Sequence, residues 1–200
     1  NILDDENQAT LEGIREAGRR GVGVVVMEPL RGGLLANPPV DVKAVYDAYA
    51  VRRSPVEWGF RYLYAMPEVI TILSGMSTWA QVTDNLRIFD IPKRPMLTDE
   101  ELALYQKVKA TYLARTKTRC TGCKYCQPCP MGVQIPRIFQ GYDAAMLRAD
   151  SSFKAGYAQI QADHADASQC IHCRKCERVC PQHLPITRFL EEIHAVSTAE

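Results

Sequence analysis

No cysteine lies outside residues 120–180, and no apolar run approaches the ~18 residues that a membrane-spanning helix needs. The first absence excludes a framework of disulfide staples spread along the chain, the usual role of eight cysteines in a short secreted protein. The second, together with the lack of a signal-peptide pattern, excludes a membrane role from the expected functions. Charge of either sign is not in excess. A net charge of +1 gives no reason to expect broad electrostatic attraction to nucleic acid or to an anionic membrane. Apolar and charged fractions of 46% and 24% are ordinary for a soluble globular chain, and 200 residues leave room for one or two domains.

What is present is concentrated. The segment RCTGCKYCQPCPMGVQIPRIF carries Cys120, Cys123, Cys126 and Cys129, and QCIHCRKCERVCPQHLPITRFL carries Cys170, Cys173, Cys176 and Cys180. The second run reads Cys-x2-Cys-x2-Cys-x3-Cys-Pro, the bacterial ferredoxin pattern for a 4Fe-4S cluster. A cubane offers one iron at each of four corners. A short loop with a thiol every third residue wraps three of them, and the proline after the fourth cysteine turns the chain away. In two-cluster proteins that fourth cysteine serves the other cluster. Carried over, one cluster takes Cys120, Cys123, Cys126 and Cys180, and the other takes Cys170, Cys173, Cys176 and Cys129. The first run departs from the pattern, because only Gln127 and Pro128 separate Cys126 from Cys129. The departure bears on Cys129, not on the presence of clusters. Zinc is the competing reading, since Cys-x2-Cys pairs also build zinc sites. Each run, closed by Cys-Pro, nevertheless supplies one thiol too many for a zinc ribbon.

Basic residues crowd both loops: Lys124, Arg174, Lys175 and Arg178. Cations beside an anionic cluster raise its potential. They serve equally for local charge compensation or as a docking face for an acidic electron partner. His172 and His183 sit beside the ligands and are read as loop residues, since eight thiols already fill the ligand positions. Between and after the runs the pattern is helical. IPRIFQGYDAAMLRA has proline in its first turn, SSFKAGYAQIQ is a weaker helix, and LPITRFLEEIHAV puts Phe189, Leu190 and Ile193 on one side. Helices are therefore expected where a compact bacterial ferredoxin has short strands.

The first hundred residues read differently. QATLEGIREAGRRG is a helix ending near Gly21, and VGVVVME is a continuous apolar strand of the kind buried on both faces of a parallel sheet. PLRGGLLANPP is a loop. Ser54-Pro55-Val56-Glu57 is a capping box opening PVEWGFRYLYAM, which Pro67 ends. VITIL is a second buried strand. Ser77 or Thr78 caps WAQVTDNLRIF, and Thr98 with Glu101 is a further capping box opening DEELALYQKVKATYLA. Strand, crossover helix and strand make an α/β unit. Tyr46, Tyr49, Tyr62 and Tyr64 fall in helix patterns and are read as packing residues.

VVVMEPLRGG followed by SPVEWGFRYLYAMPEVITILSGMSTWAQVTDN resembles the last two strand–helix units of the aldo/keto reductases. Joined to CTGCKYCQPCPMGVQIP, it resembles the iron–sulfur branch of that family, over essentially the whole chain. The fold implied is α/β plus all-α. Residues 1–97 would be the last two strand–helix units of a (β/α)8 TIM barrel, and residues 98–200 a helical two-cluster ferredoxin-like domain. The resemblance implies a nicotinamide cofactor, NAD or NADP, at the C-terminal face of the barrel. Glu28, Pro29, Leu30, Arg31 and Gly32 would run along the pyrophosphate side. Gly75, Met76 and Ser77 would lie at the adenosine end. Gln81, Asp84 and Asn85 would stand near the ribose phosphate and adenine. The family's usual lysine and arginine for the 2′-phosphate fall at Gly75 and Gln81 here, which makes NAD more plausible.

A whole barrel takes ~250 residues and eight strands. Two strands are read here, and the family's catalytic Asp, Tyr, Lys and His come from earlier strands. The chain, which starts at Asn1, is therefore expected to be the C-terminal part of a longer enzyme, with no catalytic residue of its own. By resemblance that enzyme reduces a carbonyl or oxidises an alcohol by hydride transfer. Hydride carries two electrons and a 4Fe-4S centre passes one, so direct coupling wants a flavin-containing or other redox partner protein. The alternatives are an electron-transfer module that docks a partner without chemistry of its own, or clusters that only hold the helices together. Metal–thiolate clusters belong in a reducing compartment, so a cytoplasmic setting is expected.

Overall fold

The computed structural model describes residues 1–4 and 9–199. Gln8, expected in the first helix, lies outside them. The chain divides into two compact units, Asn1–Tyr112 and Leu113–Glu200. Among the described residues no helix is long and apolar enough to cross a membrane.

In the first unit, α1 (Thr10–Arg19) ends where Gly21 adopts a positive φ of 69° and Val22 N–H donates back to Ala17 at 2.9 Å. β1 (Val24–Val26) follows, then α2 (Val40–Asp47), α3 (Pro55–Tyr64), β2 (Val69–Ile72), α4 (Trp79–Phe89) and α5 (Asp99–Arg115). β1 and β2 pair in parallel, Val24 opposite Val69 and Val26 opposite Ile72. The strands are shorter than the apolar runs suggested, and they are not buried on both faces. Val25, Met27, Ile70 and Leu73 are exposed, while Val26 and Val69 pack on Leu63 of α3. The reason is local: two strands make one ribbon, and only the side facing α3 is covered. The sequence sets no bounds for α2 beyond a helix pattern at Tyr46 and Tyr49; Val42 and Tyr46, one helical turn apart, are its buried face, and Tyr49 lies past its end in a bend.

Trp58 of α3 is the centre of this unit. Tyr46 stacks on it, Tyr49 and Tyr105 meet it edge-on, and the Arg53 guanidinium lies 4.4 Å above it. The packing role read for Tyr46 and Tyr49 holds, and Tyr62 and Tyr64 pack on Tyr105 and Phe89. Ser54 Oγ accepts from Glu57 N–H as a cap requires, whereas the Glu57 carboxylate faces Arg53 and Arg87. Thr98 and Glu101 form the expected reciprocal box at the start of α5. The sequence placed a boundary at 97/98, whereas the compact units part at Tyr112. Glu101 is buried against Arg53 at 2.9 Å and Arg61 at 3.3 Å, and the Tyr105 hydroxyl donates to the Trp58 carbonyl at 2.9 Å. These bonds tie most of α5 to the first unit. Glu101→Ala would strand two half-buried guanidinium groups and remove the cap, so a loss of about 3 kcal/mol in urea unfolding is expected. An unchanged midpoint would contradict this assignment.

In the second unit α6 (Ile135–Arg148), α7 (Ser152–Ala162) and α9 (Ile186–Thr198) surround one core, with a 3-10 turn at Ala167–Gln169 and a four-residue helix, α8 (Lys175–Arg178), inside the second cysteine run. No strand occurs here among the described residues, as the helical pattern implied. Ile138, Phe139, Tyr157, Leu190 and Ile193 are fully enclosed, and Cys120, Cys126, Cys129, Cys170, Cys176 and Cys180 pack against them. The short helices at 167 and 175 carry no periodicity that a sequence could reveal.

Burial raises the ionisation of Tyr46 and Tyr105 well above the usual tyrosine range and pushes Tyr157 up to about 12. Unfolded tyrosines lose their protons near 10. Folding stability is therefore intact below pH ~10 and falls as pH rises through the folded values. Absorbance at 295 nm should show these phenols ionising only together with loss of helix by circular dichroism. Ionisation before unfolding would contradict their burial.

Candidate metal centre

The two cysteine runs fold alike. Each turns through the left-handed region just before its second cysteine, at Gly122 (φ 71°) and His172 (φ 56°), and again just after it, at Lys124 (φ 66°) and Arg174 (φ 56°). A third such residue stands three positions after the closing cysteine, Gly132 in one run and His183 in the other. Its N–H donates back to that cysteine's carbonyl in both cases. Alternation of this kind points successive N–H groups into a concavity that suits an anion, iron–sulfur sites included. The Gly122 N–H donates toward the Cys120 sulfur and the His172 N–H toward that of Cys170. After each third turn a helix begins, α6 at Ile135 and α9 at Ile186.

The cysteines do not sort by run. Cys120 is an electrostatic neighbour of Cys123 and Cys180, and Cys126 of Cys120, Cys123 and Cys180. These four line one cavity, walled by Ile135, Phe139, Leu184 and Ile186. Cys170 neighbours Cys129 and Cys173, and these line a second cavity with Cys176. Cys126 and Ile135 border both cavities, so the two spaces adjoin. Among the described residues no three cysteine, histidine or carboxylate groups converge tightly enough to hold a single ion.

Burial pushes the Cys126 and Cys176 thiols up to about 11 and raises Cys120 and Cys170, against the pull of the backbone donors. Gathering half-buried thiolates without a metal would be costly, so loading such a site exchanges protons for metal charge. The donor set, the inward N–H groups and the apolar walls therefore fit a 4Fe-4S cluster in each cavity.

Side chains that the sequence reading did not single out hold these loops in place. Asp143, buried in α6, accepts from the N–H groups of Lys117 (2.9 Å), Thr118 (3.1 Å) and Arg119 (2.7 Å) and from the Thr118 hydroxyl (2.7 Å). Thr118 Oγ1 in turn accepts from Cys120 N–H at 3.2 Å. The signal was there in principle: an aspartate on the apolar side of IPRIFQGYDAAML. Gln127 accepts from Cys129 N–H at 3.2 Å and donates to the Val133 carbonyl at 3.0 Å. This brace accompanies the two-residue spacer that made the first run irregular. Glu177 accepts from the N–H (2.9 Å) and hydroxyl (2.8 Å) of Thr187, joining the second run to α9.

The residues expected at a nicotinamide lie in the first unit. Since β1 and β2 are parallel, the loops after them leave one edge of the sheet, Glu28–Gly32 from β1 and Gly75–Ser77 from β2. Pro29 is buried, Leu30 and Arg31 are half-buried, and Glu28 and Gly32 are exposed. A side chain at Gly59 of α3 would put Cβ 2.6 Å from Leu30 Cδ2, so the glycine there admits this loop. Gly75, Met76 and Ser77 are exposed. Gln81 accepts from the Ser77 and Thr78 N–H groups as half of the capping box of α4. Asp84 pairs with Arg87 at 2.9 Å, and Asn85 donates to Ser74 at 3.0 Å. The cavity that touches Glu28 is walled by α1, β1 and Tyr62, and none of Gly75 to Asn85 lines it.

Comparison with known proteins bears on the second unit. Residues 119–184 match the 4Fe-4S dicluster domain. That stretch spans both cysteine runs and ends at Leu184, two residues before α9. The dicluster region therefore includes every cysteine of the two cavities. Among solved structures, the aldo-keto reductase AKR11C1 from Bacillus halodurans is similar in its holo and apo forms. In each, the likeness has 28% identity over 54% of this chain, with a TM-score of 0.42. It covers 39% of the holo chain and 40% of the apo chain, so the present chain spans about two fifths of the length of the structures it matches. No curated protein matches it.

Proposed function

We propose that this chain is the C-terminal portion of an iron–sulfur aldo/keto reductase, an NAD(P)-dependent oxidoreductase acting on a carbonyl or alcohol, and that its second unit carries the electron-transfer centres. The observation that carries the reading is the crossing of the two runs: Cys180 joins Cys120, Cys123 and Cys126 at one cavity, and Cys129 joins Cys170, Cys173 and Cys176 at the other, which Cys126 also borders. Cys120, Cys123, Cys126 and Cys180 would hold one cluster, and Cys170, Cys173, Cys176 and Cys129 the other. When bound, each 4Fe-4S cluster supplies a centre that passes one electron at a time. The chain's own part is to hold the sulfurs, to aim the Gly122 and His172 N–H groups at them, and to keep water away with Phe139, Ile186 and Leu190. Hydrogen bonds to the sulfurs and reduced solvent access both tune the potential.

The reductase half rests on the sequence resemblance of the two strand–loop–helix segments. Glu28, Pro29, Leu30, Arg31 and Gly32, with Gly75, Met76, Ser77, Gln81, Asp84 and Asn85, would bind the nicotinamide nucleotide, with backbone close to phosphate at Gly32. Carbonyl or alcohol chemistry would then belong to the longer enzyme, in a reducing cytoplasmic setting. The test is an anaerobic titration of the full-length gene product with NADH and with NADPH, followed in the visible absorbance of the clusters. Bleaching by NADH at lower concentration than NADPH supports the reading. Reduction by dithionite but by neither nucleotide would leave the clusters and remove the nicotinamide link.

A further inference from the structure

The two cavities differ in what surrounds them. Five large apolar side chains are exposed in the second unit among the described residues: Tyr125, Met131, Ile171, Val179 and Val196. The first four line the second cavity, at 68%, 41%, 60% and 52% exposure, and none of them lines the first. Apolar groups gathered in one place on an otherwise polar unit mark an interaction site rather than chance. The same cavity has a cationic edge. Arg174 and Lys175 line it, and Arg178 lies one turn along α8.

These cations point to solvent. The Arg174 side chain is 72% exposed with its nearest carboxylate, Glu177, at 3.9 Å, and Lys175 and Arg178 are exposed with no ion pair among the described residues. Groups that only compensated a buried cluster would turn inward. The nearby acids are already engaged: Glu177 is bound to Thr187, and Glu191 faces His172 at 3.5 Å. An apolar centre with a polar, charged rim is the anatomy of a protein interface, and the sign of the rim selects the partner.

We propose that this face, around the second cavity, is the docking surface for an acidic flavin-carrying electron-transfer protein. The proposal rests on the electron-transfer role assigned above and adds to it the port and the charge of the partner. A flavoprotein is the occupant because a flavin links one-electron centres to a two-electron nicotinamide. The acidic rim follows from Arg174, Lys175 and Arg178.

The experiment uses anaerobically purified holoprotein with flavodoxin as the acidic probe and isothermal titration calorimetry as the readout. Flavodoxin should bind, and its affinity should fall about tenfold between ~50 and ~250 mM salt. Lys175→Glu with Arg178→Glu should weaken binding at least about tenfold, and Tyr125→Ser about fivefold, while Lys154→Glu on α7 leaves it unchanged. Iron and sulfide assays on each sample separate two failures. Full iron content with no flavodoxin binding, with unaltered affinity in the variants, or with equal binding of basic cytochrome c or anionic lipid vesicles overturns the docking surface and leaves the clusters standing. Absence of iron and sulfide overturns the cluster reading and the docking surface with it.

Discussion

Cys173→Ser and Cys129→Ser, forty-four residues apart in two different runs, should each remove the same cluster. Iron should fall from about eight to about four atoms per chain, four being the content of one centre. Cys120→Ser and Cys180→Ser should together define the other cluster, although Cys180 belongs to the second run. The reason is the crossing: Cys129 is the neighbour of Cys170, and Cys180 of Cys120 and Cys126. Paramagnetic resonance of dithionite-reduced samples reads the outcome directly. Two interacting spins should give way to one isolated spin, with one signal shared by Cys129→Ser and Cys173→Ser and another by Cys120→Ser and Cys180→Ser. If the variants instead paired within a run, Cys129→Ser with Cys123→Ser, the crossed assignment would be wrong.

Asp143→Ala should cost about 3 kcal/mol and release the first cluster more readily than the second. One buried carboxylate accepts three consecutive N–H groups and a hydroxyl. Without it those donors are left unsatisfied beside the core, at ~1–3 kcal/mol each before the segment relaxes. The urea midpoint should drop by about 1.5 M for a slope of ~2 kcal/mol/M. The same segment leads into Cys120, whose N–H leans on Thr118. On incubation with a chelator, the signal shared by Cys120→Ser and Cys180→Ser should therefore be lost first. Equal loss of both signals would show that Asp143 stabilises the fold without positioning the loop.

The cysteine pattern was legible because its information is local. Spacing by three, and proline after the last thiol, are properties of a short loop. The helices α1, α3 to α7 and α9 were legible for the same reason: Ser54, Thr78 and Thr98 sit where caps belong, and apolar residues repeat at helical spacing. What could not be read was long-range. Asp143 meets its donors 24 to 26 residues away, and Glu177 reaches Thr187 across ten. No periodicity records such pairings. The runs VGVVVME and VITIL suggest strands buried on both sides because continuous apolar runs usually are. Two strands expose one face, as Val25 and Ile70 do. The division at Tyr112 was hidden likewise, because it depends on where Glu101 and Tyr105 find partners rather than on the composition of α5.

The most direct measurement is elemental. Anaerobically purified protein, assayed for iron, acid-labile sulfide and zinc with Mössbauer spectra of the same sample, should contain about eight iron and eight sulfide per chain, all as 4Fe-4S. Zinc in stoichiometric amount with no sulfide would contradict the account at its centre.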